Sequence, residues 1–119
     1  DETGGVARAE SYELVGPIAE ASLEGLNLDI VFLGVDGISP GAGLTTHHEI
    51  EARTNRALID RARQVIVVAD SSKIGKVAFA RICDLAGVDE LIIDSTADRE
   101  ALAEIEAAGV VVTVVEQNE

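Results

Sequence analysis

The densest chemistry in the chain lies at Asp70-Ser71-Ser72-Lys73-Ile74-Gly75-Lys76, where a carboxylate, two hydroxyls and two lysines follow directly on the apolar run Val65-Ile66-Val67-Val68-Ala69. A carboxylate accepts sugar hydroxyls, and a lysine offers a point charge to a phosphate. The same residues also fit a plainer role, an Asp or Ser cap followed by solvated lysines. A second apolar run, Ile30-Val31-Phe32-Leu33, ends in Gly34-Val35-Asp36-Gly37. Its two glycines mark a place where backbone turns sharply or comes close to a ligand. The third glycine and the immediate helix of a dinucleotide fingerprint are absent. Asp94 closes a third run, Leu91-Ile92-Ile93, and capping of the next helix is the reading favoured there.

Between the first two runs, Gly43-Leu44-Thr45-Thr46 leads into a helical pattern. Free first-turn amides with two hydroxyls in reach suit a phosphate, while Thr46-x-x-Glu49 has the spacing of a capping box. His47, Glu51 and Asn55 fall four apart and share a ridge of that helix. The adjacent His47 and His48 invite a metal, but no second histidine follows at zincin spacing and Cys83 is alone. Neither a metal nor a cofactor is therefore expected.

The elements that must position these residues are short apolar runs rich in Val and Ile separated by helical patterns, which indicates parallel strands buried on both faces. Strands are expected over 30–33, 65–69, 90–93 and 110–115, with a weaker one over 5–10. Helices are expected from 15 to about 26, from 46 to about 63, from about 74 to 85, and over 98–108 with Gly109 as the stop. Alternation of strand and helix implies an α/β fold, a mostly parallel sheet with helices on both faces. Ligands bind such sheets outside the carboxyl ends of the strands, where Asp36, Asp70 and Asp94 stand.

A chain of 119 residues with 47% hydrophobic content suits one domain. The formal charge of −13, from 22 acidic against 9 basic residues, repels a phosphate backbone, so this chain is not expected to hold DNA by itself. With 3% aromatic residues and no Trp, the core must be aliphatic. A single cysteine, Cys83, set in what reads as a buried helix face, fits a reducing, cytoplasmic setting. No apolar run reaches the roughly 18 residues that a bilayer demands, so no membrane partner is expected. The chain has no Met and opens at Asp1-Glu2-Thr3-Gly4-Gly5, and it reads as part of something longer.

The motifs, taken in order, resemble a known family. Leu33-Gly34-Val35-x-Gly37-Ile38, Gly43-Leu44-Thr45-Thr46, Glu51-x-x-Thr54-x-Arg56-Ala57-Leu58-Ile59 and Ala69-Asp70-Ser71-Ser72-Lys73-Ile74-Gly75 are similar to the carboxy-terminal sensor domain of DeoR-family bacterial transcription repressors. Gly4-Gly5-Val6-x-Arg8 with Val15-Gly16-Pro17 resembles the stretch before them. The resemblance implies the sugar-phosphate isomerase and coenzyme A transferase fold (NagB/RpiA/CoA transferase-like) and a phosphorylated sugar or related metabolite as effector. It also implies DNA contact through an amino-terminal winged helix-turn-helix that these residues do not include, together with the first part of the sensor domain. The chain departs from the family at Ser39, where members often carry Asp, and at Asn55, where they often carry Lys.

The resulting expectation is an effector-binding domain, not an enzyme, that works as a homo-oligomer. Its ligand would meet Asp36, Gly37, Thr45, Thr46, Glu51, Asp70 and Lys73. The Thr45 and Thr46 groups and Lys73 would face phosphate or polar ends, and Asp36, Glu51 and Asp70 would accept hydroxyls. Two alternatives stand beside it. One is an aldose-ketose isomerase of the same fold with Glu51 or Asp36 as base, and the other is an oligomerisation module without a ligand.

Overall fold

The computed structural model describes residues 25–116. The expected strand over 5–10 and nearly all of the helix beginning at 15 lie outside them. Strands β1 (Leu28–Leu33), β2 (Gly37–Ser39) and β3 (Gly43–Thr46) come first, followed by helix α1 (Glu49–Arg61) and β4 (Ala62–Ala69). A 3-10 turn (Ser71–Lys73), β5 (Ala80–Cys83) and a second 3-10 turn (Leu85–Gly87) follow. The described chain closes with β6 (Glu90–Asp94), α2 (Arg99–Ala107) and β7 (Val111–Val115).

Two sheets result. The larger is parallel throughout, in the order β1-β4-β6-β7, and the smaller is antiparallel, in the order β2-β3-β5. The chain thus steps across the parallel sheet in one direction, as crossover connections allow. Register pairs Leu33 with Val67, Val67 with Leu91 and Leu91 with Val112, so side chains two apart along each strand share a face. Val31, Leu33, Val65, Val67, Leu91 and Ile93 are buried on one face and pack with Leu58 of α1, Leu102 and Ile105 of α2, and Ile38, Leu44 and Ile82 of the small sheet. The buried hydrophobic residues are all Val, Ile, Leu and Ala. The opposite face presents Ile30, Phe32, Val68, Val111 and Val115, which are exposed. Phe79 is 84% exposed, so both phenylalanines of the chain lie at the surface.

The four expected parallel strands and α2 fall where the apolar runs put them. Asp98 caps α2 by accepting from the Ala101 amide at 3.0 Å, and Gly109, with φ +103°, follows its end. The expected helix over 74–85 is not formed. Gly75 takes φ +86° and its amide donates to the Ile38 carbonyl at 2.7 Å, which draws the backbone alongside β2 and out of helical geometry. From Ala80 the residues alternate, with Ala80 and Ile82 buried and Arg81 exposed, the period of a strand pairing with β3. Cys83 therefore sits on an edge strand, half-buried, and burial raises its thiol pKa. The capping box is not formed either: the N-cap of α1 is His48, which makes no side-chain cap, because the Thr46 hydroxyl is engaged elsewhere.

Candidate functional site

A cavity of about 650 Å³ opens at the carboxyl ends of β1, β4, β6 and β7. Its polar lining comes from Asp36, Thr46, Glu51, Asp70, Lys73 and Asp94, and Val68, Ile92 and Val115 form an apolar side. Each apolar run that becomes a parallel strand delivers its following residues to this edge, so positions distant in sequence converge there.

Asp36 follows β1. Its Oδ2 accepts from the His47 amide at 2.9 Å and from the Thr46 hydroxyl at 2.9 Å. The same Thr46 Oγ1 lies 2.7 Å from Glu51 Oε1, so one hydroxyl proton serves two carboxylates and ties the loop after β1 to α1. Burial pushes the Asp36 carboxyl up, but the His47 amide, the Thr46 hydroxyl and the charges of His47 and Lys73 outweigh it and leave its pKa below the ordinary value. Asp70 follows β4. Its Oδ1 accepts from the Ser72 hydroxyl and, at 2.8 Å, from the Ser72 amide, an arrangement that opens the 3-10 turn and lowers the Asp70 pKa.

Asp94 ends β6 and is buried. Its Oδ1 accepts from the Thr96 hydroxyl and, at 2.9 Å, from the Thr96 amide, and its Oδ2 from the Ser71 amide at 2.9 Å. Those donors hold its pKa low. Ser71 and Thr96 hydroxyls meet at 2.7 Å and complete the link between the two loops.

Of the residues expected from sequence, Asp36, Thr46, Glu51, Asp70 and Lys73 line this cavity. Gly37 and Thr45 are placed elsewhere. Thr45 Oγ1 accepts from the Ala78 amide at 2.9 Å. A Cβ on Gly37 would stand 2.3 Å from the Lys76 carbonyl oxygen, so that glycine gives passage to the segment between the 3-10 turn and β5. The departures from the family pattern also fall outside the lining: Ser39 Oγ accepts from the Ala42 amide at 3.1 Å within a turn, and Asn55 is buried in α1. Asp94 is the lining residue that the helix-cap reading missed. The signal was available, since it stands at the end of its apolar run as Asp70 stands just after its own. No group of three metal-ligating side chains forms among the described residues, nor is any helix there long and apolar enough to cross a membrane.

These features define an α/β domain with an open, largely carboxylate-lined cavity at the carboxyl edge of a parallel sheet. Residues 2–95 match the family described as the DeoR C terminal sensor domain. The chain belongs to that family, whose fold is the NagB/RpiA/CoA transferase-like one. It is 42% identical over 110 residues, 92% of its length, to the HTH-type transcriptional regulator GlpR of Haloferax volcanii. It is 40% identical over 113 residues, 95% of its length, to a putative aga operon transcriptional repressor of Escherichia coli O157:H7. Over 92 residues, 77% of its length, it is 30% identical to the glycerol-3-phosphate regulon repressor of Escherichia coli K12. The chain spans 43%, 42% and 36% of these relatives respectively, less than half of each.

Proposed function

We propose that this chain is the effector-sensing part of a transcription repressor, with a phosphorylated sugar or closely related metabolite as its effector. The observation that carries the reading is the cavity at the strand ends, where Asp36, Asp70 and Lys73 meet within a domain of the DeoR sensor family. Relatives named as repressors, each more than twice as long as the matched stretch, support a regulator in which a winged helix-turn-helix and the first part of the sensor domain are supplied by the remaining polypeptide. The chain's −13 charge agrees with DNA contact being made there and not here. Such a regulator acts in the cytoplasm as a homo-oligomer, without catalysis. Effector binding biases DNA affinity through its preference for one of two arrangements of the protein.

Thermal unfolding of the chain with a panel of phosphorylated sugars, each beside its unphosphorylated counterpart, tests the reading. A ligand that binds the native state raises the midpoint, and a selective rise is the expected result. No rise with any member of the panel, together with turnover of ribose 5-phosphate or glucosamine 6-phosphate, would replace the sensor with an isomerase.

A further inference from the structure

We infer that β7 is a self-association edge, at which two copies of this chain join their Val111–Val115 strands antiparallel about a two-fold axis at Thr113. Of the proposed function this needs only self-association, and effector binding is untouched by its failure. Among the described residues nothing pairs with the outer side of β7, which ends the sheet order β1-β4-β6-β7. Val111, Val114 and Val115 are 62%, 50% and 45% exposed. Such an edge offers its amides and carbonyls to any other strand, and natural proteins blunt it with charge, proline, a bulge or a covering side chain. The small sheet follows that rule, with a register shift between Leu44 and Thr45 and with Arg56 donating to the Arg81 carbonyl of β5 at 2.6 Å. In β7 these devices are missing. Val111-Val112-Thr113-Val114-Val115 holds no charge and no proline, and its register with β6 runs from Glu90 beside Val111 to Asp94 beside Val115 without a shift.

The strand itself identifies its partner. Its 5 residues read the same in both directions, so an antiparallel copy centred on Thr113 sets Val111 against Val115, Val112 against Val114, and Thr113 against Thr113. Every cross-strand pair is then a matched β-branched one. The backbone phase agrees with this register. The Val111 amide donates to the Asp89 carbonyl at 3.0 Å, which turns the polar groups of Val111, Thr113 and Val115 toward β6 and leaves those of Val112 and Val114 on the outer side. Val112 and Val114 are the residues that the two-fold brings opposite each other, so they can exchange both hydrogen bonds. Two chains of formal charge −13 repel, and the contact here is made by uncharged residues. A two-fold contact is closed, so it stops at two copies. Val115 also lines the cavity, and an effector resting on it would touch the strand that pairs the subunits.

Sedimentation velocity of the chain over a series of concentrations tests this, and a monomer–dimer equilibrium is the expected result. Val114→Pro removes an outward amide and leaves the ladder to β6 intact, so it should weaken the dimer by about tenfold or more. Val114→Lys, which sets a charge against Val112 of the partner subunit, should do the same if the proline variant loses its circular-dichroism spectrum. In a Cys83→Ser background treated with oxidised glutathione, Thr113→Cys should give a disulfide-linked dimer, because a non-hydrogen-bonded antiparallel pair brings its Cα atoms to roughly 4.5 Å. Val111→Cys should give none. A monomer at every concentration overturns the inference, as does growth past the dimer. So does a dimer that forms no Thr113→Cys link or that both Val114 variants leave unchanged.

Discussion

The Ser71 amide donates to the Asp94 carboxylate at 2.9 Å, so a buried side chain at the end of β6 holds the turn that follows β4. The neighbouring strands are joined by their backbone ladder and, beyond its last rung, by this bond. The geometry of Asp70 and Lys73, which sit in that turn, depends on a residue 23 positions further along.

Asp94→Ala is accordingly expected to lower the thermal midpoint and, if the proposed effector site is correct, to weaken effector binding by loosening the turn that carries Asp70 and Lys73. Asp94→Asn retains an amide oxygen for one of the donors and should restore part of both losses. Thermal unfolding and calorimetry on the two variants check the order, wild type above Asn above Ala.

Two glycines separate backbone conformation from crowding. Gly43 has φ +72°, and a Cβ there would stand 2.1 Å from the Cys83 carbonyl oxygen across the small sheet. Gly75 has φ +86° with nothing within 4 Å of its Cβ position. Urea denaturation should show Gly75→Ala costing about 1 kcal/mol, the penalty of the left-handed conformation alone, and Gly43→Ala costing at least about 2 kcal/mol, since strand separation is added to it.

Acid should unfold the protein through its strand-end carboxylates. Asp36, Asp70 and Asp94 all have folded pKa values below the ordinary aspartate value. A depressed folded pKa contributes stability that is present above the unfolded value, about 3.9, and is lost as pH falls through the folded one. Stability measured by urea at successive pH values should be level with respect to these groups above about pH 5 and decline below about pH 4. Replacing Asp36 and Asp70 by Asn should flatten the decline.

One buried hydroxyl works against the fold. Thr54 is 2% exposed in α1, and its Oγ1 has no hydrogen-bond partner among the described residues. Thr54→Val keeps the shape and removes the unsatisfied polar atom, and should raise stability by about 1 kcal/mol. The measurement is the urea midpoint, and a lower midpoint would show that the hydroxyl has a partner in solution.

The parallel strands were legible because a strand buried in a sheet writes itself as a continuous apolar run, and the aspartates were legible because they end those runs. Residues 74–85 were not. Ile74, Ala80 and Ile82 can be laid on a helical face as readily as on an extended one, and the partner that decides between them, β3, lies more than thirty residues earlier. Thr46 misled in a related way: its spacing to Glu49 suits a cap, but its hydroxyl donates to Asp36 and Glu51 and the N-cap falls at His48. Gly37 and Thr45 were read as meeting a ligand, and in the structure they meet other parts of the chain. Their counterparts, Lys76 and Ala78, belong to the very segment whose conformation could not be read.

An aliphatic interior with both phenylalanines outside it decides how this molecule can be watched. Phe32 and Phe79 are solvent-facing and no Trp exists, so among the described residues ultraviolet fluorescence and near-ultraviolet dichroism have almost no reporter in the packed core. Nearly every side chain there ends in methyl groups. Val67, Leu91, Ile93 and Ile105 would each give a resolved methyl resonance under selective isotope labelling. Ile93 itself lines the cavity and Val67 directly adjoins the lining residue Val68, placing spectroscopic reporters at its wall.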